Sequence, residues 1–121
     1  MSVRGRRPNT NRDAGTVTKA LITPLPGEVF AFRVTNANAA VRYFQLHNKV
    51  TAPVATDVSQ QFHLLPAGSA AAPTVMLIGS NDLADEEAFT LGIGWAISTT
   101  ALAFTDAATA ADHTVNVRWR A

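Results

Sequence analysis

The fold of this chain is clearest in residues 114–120, which read TVNVRWR near the end of a 121-residue sequence. Valine and tryptophan alternate there with asparagine and arginine. A period of two places the apolar side chains on one face of an extended strand, whereas a helix would scatter them. The stretch therefore predicts a strand with one buried face and one solvated face.

Similar short apolar runs recur along the chain, separated by clusters of Pro, Gly, Asn and Asp that favour turns. We expect eight strands, at residues 16–22, 28–35, 40–47, 60–65, 73–79, 90–98, 101–105 and 114–120. Short strands at this spacing over about 100 residues are typical of an antiparallel β-sandwich, jelly-roll-like or related. The sequence predicts an all-β protein whose single sandwich domain spans residues 16–121, preceded by an arm at residues 1–15.

Two stretches could instead be helical. Asn81 or Asp82 can cap a single helical turn within residues 81–89, and residues 101–111 are rich in alanine. Threonine and aspartate weaken the second helix, because their side chains bond their own backbone in non-helical conformations. Strand and helix both stay open at these positions.

Composition excludes several classes of protein. The chain has no cysteine, which excludes a disulfide scaffold, a cysteine-based zinc site and a cysteine nucleophile. No apolar run approaches the roughly 18 residues of a membrane-spanning helix, and residues 1–15 lack the apolar stretch of a signal peptide. We expect a protein that is neither inserted in a membrane nor exported.

Charge is unevenly distributed, although the formal net charge is only +1. The first twelve residues contain four basic side chains and no acidic one, namely Arg4, Arg6, Arg7 and Arg12. Gly5 and Pro8 argue against a helix there, so we expect an extended basic arm. Three interpretations follow: a strap docked on a neighbouring subunit, which we favour, a nucleic-acid tether, or a solubilising tail.

Catalytic and metal-binding patterns are weak. Ser98, His113 and Asp112 could be nominated as a hydrolytic triad by residue type, but no nucleophile-elbow motif accompanies them. His47, His63 and His113 have no ligand spacing, and the acids at residues 82–87 lack that of a calcium loop. We expect no enzyme activity, no metal and no cofactor.

The strand predicted at residues 90–98 has one nearly bare face. Large apolar residues alternate there with three small ones, Gly92, Gly94 and Ala96. Small residues either let another part of the protein pack closely or leave a smooth surface for a second subunit. These three residues are a candidate interface, and packing inside the chain is the interpretation that we favour. Trp95 and Trp119 fall on faces assigned to the core rather than to a sugar-binding platform.

Three motifs carry a resemblance to a known type of protein. Residues 34–48 read VTNANAAVRYFQLHN, residues 65–68 read LPAG, and residues 92–100 read GIGWAISTT. Together they resemble a small virion domain of tailed bacteriophages, over about residues 28–120. The resemblance implies a β-sandwich accessory protein of the particle: a capsid decoration or cement protein, or a module of a head fibre, neck or tail.

A decoration protein is the favoured member of this set, because the chain shows no coiled coil, collagen-like segment or second domain. The resemblance implies binding to the major capsid protein and to other copies of the chain, as a dimer or trimer, on the capsid surface of virions assembled in the host cytoplasm. The four arm arginines would contact acidic groups of the shell. The alternative is a tail, neck or head-fibre module that binds a receptor or glycan. Membrane and nucleic acid are not expected partners.

Overall fold

A computed structural model describes residues 9–79 and 87–121 of the chain. It contains nine β-strands: β1 Asn9–Asp13, β2 Lys19–Thr23, β3 Gly27–Asn36, β4 Arg42–His47, β5 Gln61–Leu65, β6 Thr74–Ile78, β7 Glu87–Phe89, β8 Ile93–Ser98 and β9 His113–Arg120. One 3-10 turn, Ala110–Asp112, precedes β9. Within the described ranges there is no α-helix, and no helix long and apolar enough to cross a membrane.

The strands form two antiparallel sheets. The five-stranded sheet has the order β1-β9-β3-β6, with β7 also paired to β3, and the four-stranded sheet has the order β2-β8-β4-β5. The two sheets enclose one apolar core. This arrangement confirms the predicted all-β sandwich.

The core is built from the inward faces of both sheets. Phe32 of β3 meets Phe44 of β4 with 4.9 Å between ring centroids, and Trp95 of β8 lies beside Phe44 at 6.4 Å. Val115 and Val117 of β9 are buried in the same cluster, and Trp119 packs against it. The alternation in residues 114–120 therefore has the predicted effect, with valine inward and arginine outward.

Several local predictions were wrong. Strands β1 and β7 were not predicted as strands, and residues 101–105 form a loop rather than a strand. A helix over residues 101–111 is excluded because Ala108 has φ of 55°, outside the right-handed helical region. Of the helix considered at residues 81–89, residues 81–86 lie outside the described part, and residues 87–89 are strand β7.

Candidate partner-binding face

The second half of the predicted arm belongs to the body of the protein. Residues 9–13 form β1, which pairs antiparallel with β9 at the edge of the five-stranded sheet. Arg12 is exposed and lies opposite Asn116 of β9. Arg4, Arg6 and Arg7 lie outside the described residues. Arg12 is thus part of a sheet surface, whereas the sequence predicted it to lie on an extended arm that precedes the sandwich domain.

Strand register brings four side chains into one row across this sheet. Arg12 of β1 faces Asn116 of β9, Asn116 faces Arg33 of β3, and Arg33 faces Leu77 of β6. Residues directly opposite each other on antiparallel strands project to the same side, with neighbouring strands about 4.8 Å apart. The row crosses the outer surface of the sheet, on the side away from the core. We call this surface the basic face and define it by Arg12, Phe30, Arg33, Leu77, Asn116, Arg118 and Arg120.

The basic face is strongly positive for its size. It holds four arginines, and Glu28 is the one acidic side chain that the described residues place on it. Glu28 pairs with Arg120, the Oε1 to Nε distance being 3.7 Å. The remaining arginines of the face, Arg12, Arg33 and Arg118, are exposed. The simple count is four positive charges against one negative, a local excess of +3 in a chain whose net charge is +1.

Phe30 gives the basic face an ordered centre. It lies at the irregularity between Val29 and Ala31 in the β3–β9 pairing. The guanidinium carbons of Arg118 and Arg120 lie 5.5 and 5.1 Å from its ring centroid. Cation–π contacts of this kind limit the freedom of the arginine side chains. The face therefore presents partly positioned guanidinium groups that suit carboxylates or other anions.

The opposite outer surface, that of the four-stranded sheet, is largely covered by the chain's own loops. Ala96 is fully buried. A Cβ on Gly94 would lie 3.1 Å from Pro53 Cδ, and a Cβ on Gly92 would lie 2.4 Å from the carbonyl oxygen of Lys49. Of the two interpretations of these three residues, the structure therefore supports packing within the chain rather than an exposed interface. The small residues at these positions leave room for the chain's own backbone and for Pro53 to pack closely.

A buried polar pair fixes one of these loops. Gln45 Nε2 donates to the carbonyl oxygens of Thr100, Ala101 and Ala103 at 3.1, 2.8 and 3.2 Å. Its Oε1 lies 2.8 Å from Nε2 of His47, a fully buried side chain whose ring meets the edge of Phe104. Sequence analysis did not identify this pair. The sequence offers no signal for it, because burial of both faces of β4 at residues 44–47, which requires internal partners for the polar side chains, is visible only in the fold.

Burial also determines the protonation state of His47. The pKa of His47 is lowered from 6.5 to about 4, mainly because burial penalises the charged ring. Asp57 nearby opposes the shift and Lys49 adds to it. The imidazole is therefore neutral at physiological pH, which suits a structural side chain under a loop.

The residues nominated for catalysis are held in separate structural contacts. Ser98 Oγ accepts hydrogen bonds from the backbone N–H groups of Thr100 and Thr105 at 3.1 and 2.9 Å. His113 Nε2 lies 2.8 Å from Thr109 Oγ1, and Asp112 Oδ2 accepts from Asn38 at 2.8 Å. In residues 9–79 and 87–121, no group of three or more His, Asp or Glu side chains could hold a metal ion.

Both tryptophans are accounted for by packing. Trp95 is fully buried, and Trp119 lies against the core, as predicted. The exposed aromatic side chain is instead Phe62, 44% exposed, which meets Tyr43 edge to face at 6.3 Å. No protein-family model, curated protein or solved structure matches the chain.

Proposed function

We propose that this chain is a structural virion protein of a tailed bacteriophage, most specifically a capsid decoration or cement protein that binds and stabilises the head shell. It would occupy the capsid surface after synthesis in the host cytoplasm. The observation that carries the proposal is the basic face, an exposed sheet surface with a local charge of +3. The resemblance of residues 28–120 to small phage virion domains supplies the biological setting.

The proposed contact is between the basic face and acidic groups of the major capsid protein. Arginine forms planar, paired hydrogen bonds with carboxylates, which supply orientation as well as attraction. The chain enters β1 at Asn9, opposite Trp119 on the same sheet. Arg4, Arg6 and Arg7 precede this entry point by a few residues and add positive charge to the chain segment that leads into it.

Multivalency would turn a modest contact into firm attachment. Exposed ion pairs contribute only about 0.2–1 kcal/mol each. A dimer or trimer of the chain holds two or three basic faces together, so binding of one raises the effective concentration of the others. In the proposed mechanism each copy clamps one part of the shell, and occupancy depends on the assembled lattice.

The proposed role is binding rather than catalysis. Ser98, His113 and Asp112 each hold a hydrogen bond that fixes a turn or loop, which supports a structural function for these residues. Membrane and nucleic acid have no part in the proposed mechanism.

One experiment tests this function directly. The chain is analysed by sedimentation velocity, first alone and then mixed with empty capsids of the major capsid protein encoded beside its gene. The proposal predicts an oligomer alone and a stoichiometric layer that sediments with the capsids. A chain that stays in the supernatant at every ratio contradicts it.

A second candidate function is a tail, neck or head-fibre module that binds a receptor or glycan. The observation that favours it is the exposed Phe62 beside Tyr43, because aromatic side chains on a surface can stack on sugar rings. Binding on a glycan array, lost in Phe62→Ala and retained in Arg33→Gln, would support this candidate over the first.

A further inference from the structure

The basic face contains a shallow depression of about 200 Å³, between strands β3, β6 and β9. Its rim includes Arg33, Leu77, Asn116 and Arg118, and Ala31 lies between them. Ala31 faces Arg118 across the β3–β9 pairing, so a small side chain stands beside a long one. The depression exists because Ala31 leaves space that a larger residue would fill.

The rim offers donors that are not engaged elsewhere in the described structure. Arg33 and Arg118 are exposed, and neither forms an ion pair with any acidic side chain in the described ranges. Arg118 is held against Phe30, so its guanidinium is already limited in movement. Arg118, positioned by Phe30, and the exposed Arg33 together place two guanidinium groups at one depression, which suits an anion.

Two further side chains at the depression, Asn116 and Leu77, bear on which kind of ligand it can hold. Asn116 Oδ1 is buried and accepts no hydrogen bond within the described residues. A guanidinium has five N–H donors, so an arginine fixed by a bound carboxylate retains donors for this oxygen. Leu77 is 67% exposed beside Arg33 and can contact an aliphatic stem. A carboxylate on a short aliphatic chain matches the two guanidinium groups and the apolar contact with Leu77, while the arginines supply the donor that Asn116 Oδ1 needs.

Nucleic acid fits this depression less well. Single-stranded nucleic acid is bound through aromatic platforms on which bases stack. Phe30, the aromatic side chain of the basic face, is already in contact with two guanidinium groups. The rim itself holds no aromatic side chain apart from the core residue Phe32, which is 1% exposed.

We propose that this depression is the seat for a glutamate or aspartate side chain of the partner protein, held by Arg33 and Arg118 with its aliphatic stem against Leu77. The proposal rests on the proposed function and specifies the contact through which the basic face recognises an acidic protein surface. The other two arginines of the basic face, Arg12 and Arg120, would then attract the acidic surface without forming this specific contact.

The test uses the full chain, labelled with ¹⁵N, and three probes: a blocked hexaglutamate peptide, a blocked hexaglutamine peptide and a six-nucleotide oligothymidine. Side-chain Nε–H signals of arginine and the Asn116 amide signals report the site. Hexaglutamate is expected to shift the signals of Arg33, Arg118 and Asn116 more than those of other side chains, and hexaglutamine is expected to have no effect. Stronger binding of oligothymidine at the same residues would overturn the proposal.

Matched variants distinguish a specific binding site in the depression from attraction by the net positive charge of the chain. Arg33→Gln and Arg118→Gln should each weaken hexaglutamate binding about two- to fivefold, as expected for one exposed charge pair. Lys19→Gln removes the same charge from the other sheet and should weaken it less. Equal losses in all three variants would show that net charge alone governs binding and would contradict the seat.

The same variants distinguish this inference from the proposed function. Capsid binding that survives intact in Arg33→Gln and Arg118→Gln would refute the seat and leave the decoration role standing. A chain that binds hexaglutamate at the depression and ignores capsids would refute the decoration role and leave the acidic-segment seat standing.

Discussion

Trp95 Nε1 donates a hydrogen bond to Asn11 Oδ1 at 3.2 Å, which joins the centre of the four-stranded sheet to the edge strand of the other sheet. Trp95 is fully buried. Asn11 belongs to a segment, Asn9–Asp13, that contains no apolar residue and yet forms β1. The contact shows why this polar segment is held: it satisfies the one polar atom of the largest core side chain.

Replacing Asn11 tests this contact. Asn11→Ala leaves a buried indole N–H without its partner, which should lower the free energy of unfolding by about 1–3 kcal/mol. Thr10→Ala on the exposed side of the same strand should change it by less than about 0.5 kcal/mol. Urea unfolding of the two variants measures both values. Equal effects would mean that the hydrogen bond does not anchor β1.

The glycines of β8 and its approach give a second prediction. A Cβ at Gly92 would meet the carbonyl oxygens of Lys49 and Thr23 at 2.4 and 2.8 Å, both of them backbone atoms. Gly92→Ala should therefore destabilise the fold by about 1–3 kcal/mol or more. Gly94→Ala, with its nearest contact at 3.1 Å to a proline side chain, should cost less. Thermal unfolding of the two variants measures this order. If both variants kept their stability but lost capsid binding, the two positions would belong to an interface after all.

The free energy of unfolding should decrease as the pH is lowered, before most carboxylates become protonated. His47 has a pKa of about 4 when folded and about 6.5 when unfolded, so the unfolded chain binds more protons between these values. The contribution of the neutral His47 ring to stability is fully present above pH 6.5 and decreases as the pH falls towards 4. His47 alone should remove about 2 kcal/mol between pH 7.5 and pH 5. The pKa of His113 is also lowered by burial and adds to this loss.

Titration of the His47 ring by NMR checks the cause, and urea unfolding at several pH values checks the effect. A His47 pKa near 6.5 in the folded chain would contradict the burial argument. The variant His47→Gln should flatten the pH dependence by the His47 share, leaving the contribution of His113.

Gln45 should control the order of the loop at residues 99–107. Gln45→Met keeps the side-chain volume and removes the donor that binds the carbonyl oxygens of Thr100, Ala101 and Ala103. Loss of these bonds should lower the free energy of unfolding by about 1–3 kcal/mol. It should also speed hydrogen exchange of the Thr105 amide, which donates to Ser98 Oγ. Unchanged exchange would show that other contacts fix the loop.

Sequence pattern predicted the strands that carry their own apolar alternation, and it predicted the inward valines of β9. It could not predict β1, because β1 has no apolar residue and depends on pairing with β9 and on Trp95. The apolar run at 101–105 predicts a strand, and this prediction is wrong because periodicity cannot show that its carbonyl oxygens accept hydrogen bonds from Gln45.

The candidate site was only partly accessible from the sequence. The sequence led us to predict Arg12 as a partner-binding residue of an extended arm, and its role in binding stays a prediction. Arg33 and Arg118 gave no sequence signal beyond lying at polar positions of two predicted strands. Strand register is what places these residues on one face with Arg12, and register between distant strands depends on the whole fold.

The most direct test of the central claim is co-sedimentation of charge-matched variants with empty capsids. Arg33→Gln/Arg118→Gln and Lys19→Gln/Lys49→Gln each remove two positive charges, the first pair from the basic face and the second from elsewhere. If the basic face binds the shell, the first variant should lose most of its capsid occupancy, and the second, once shown to be folded, should keep it. Equal occupancy of the two variants would contradict attachment through this face.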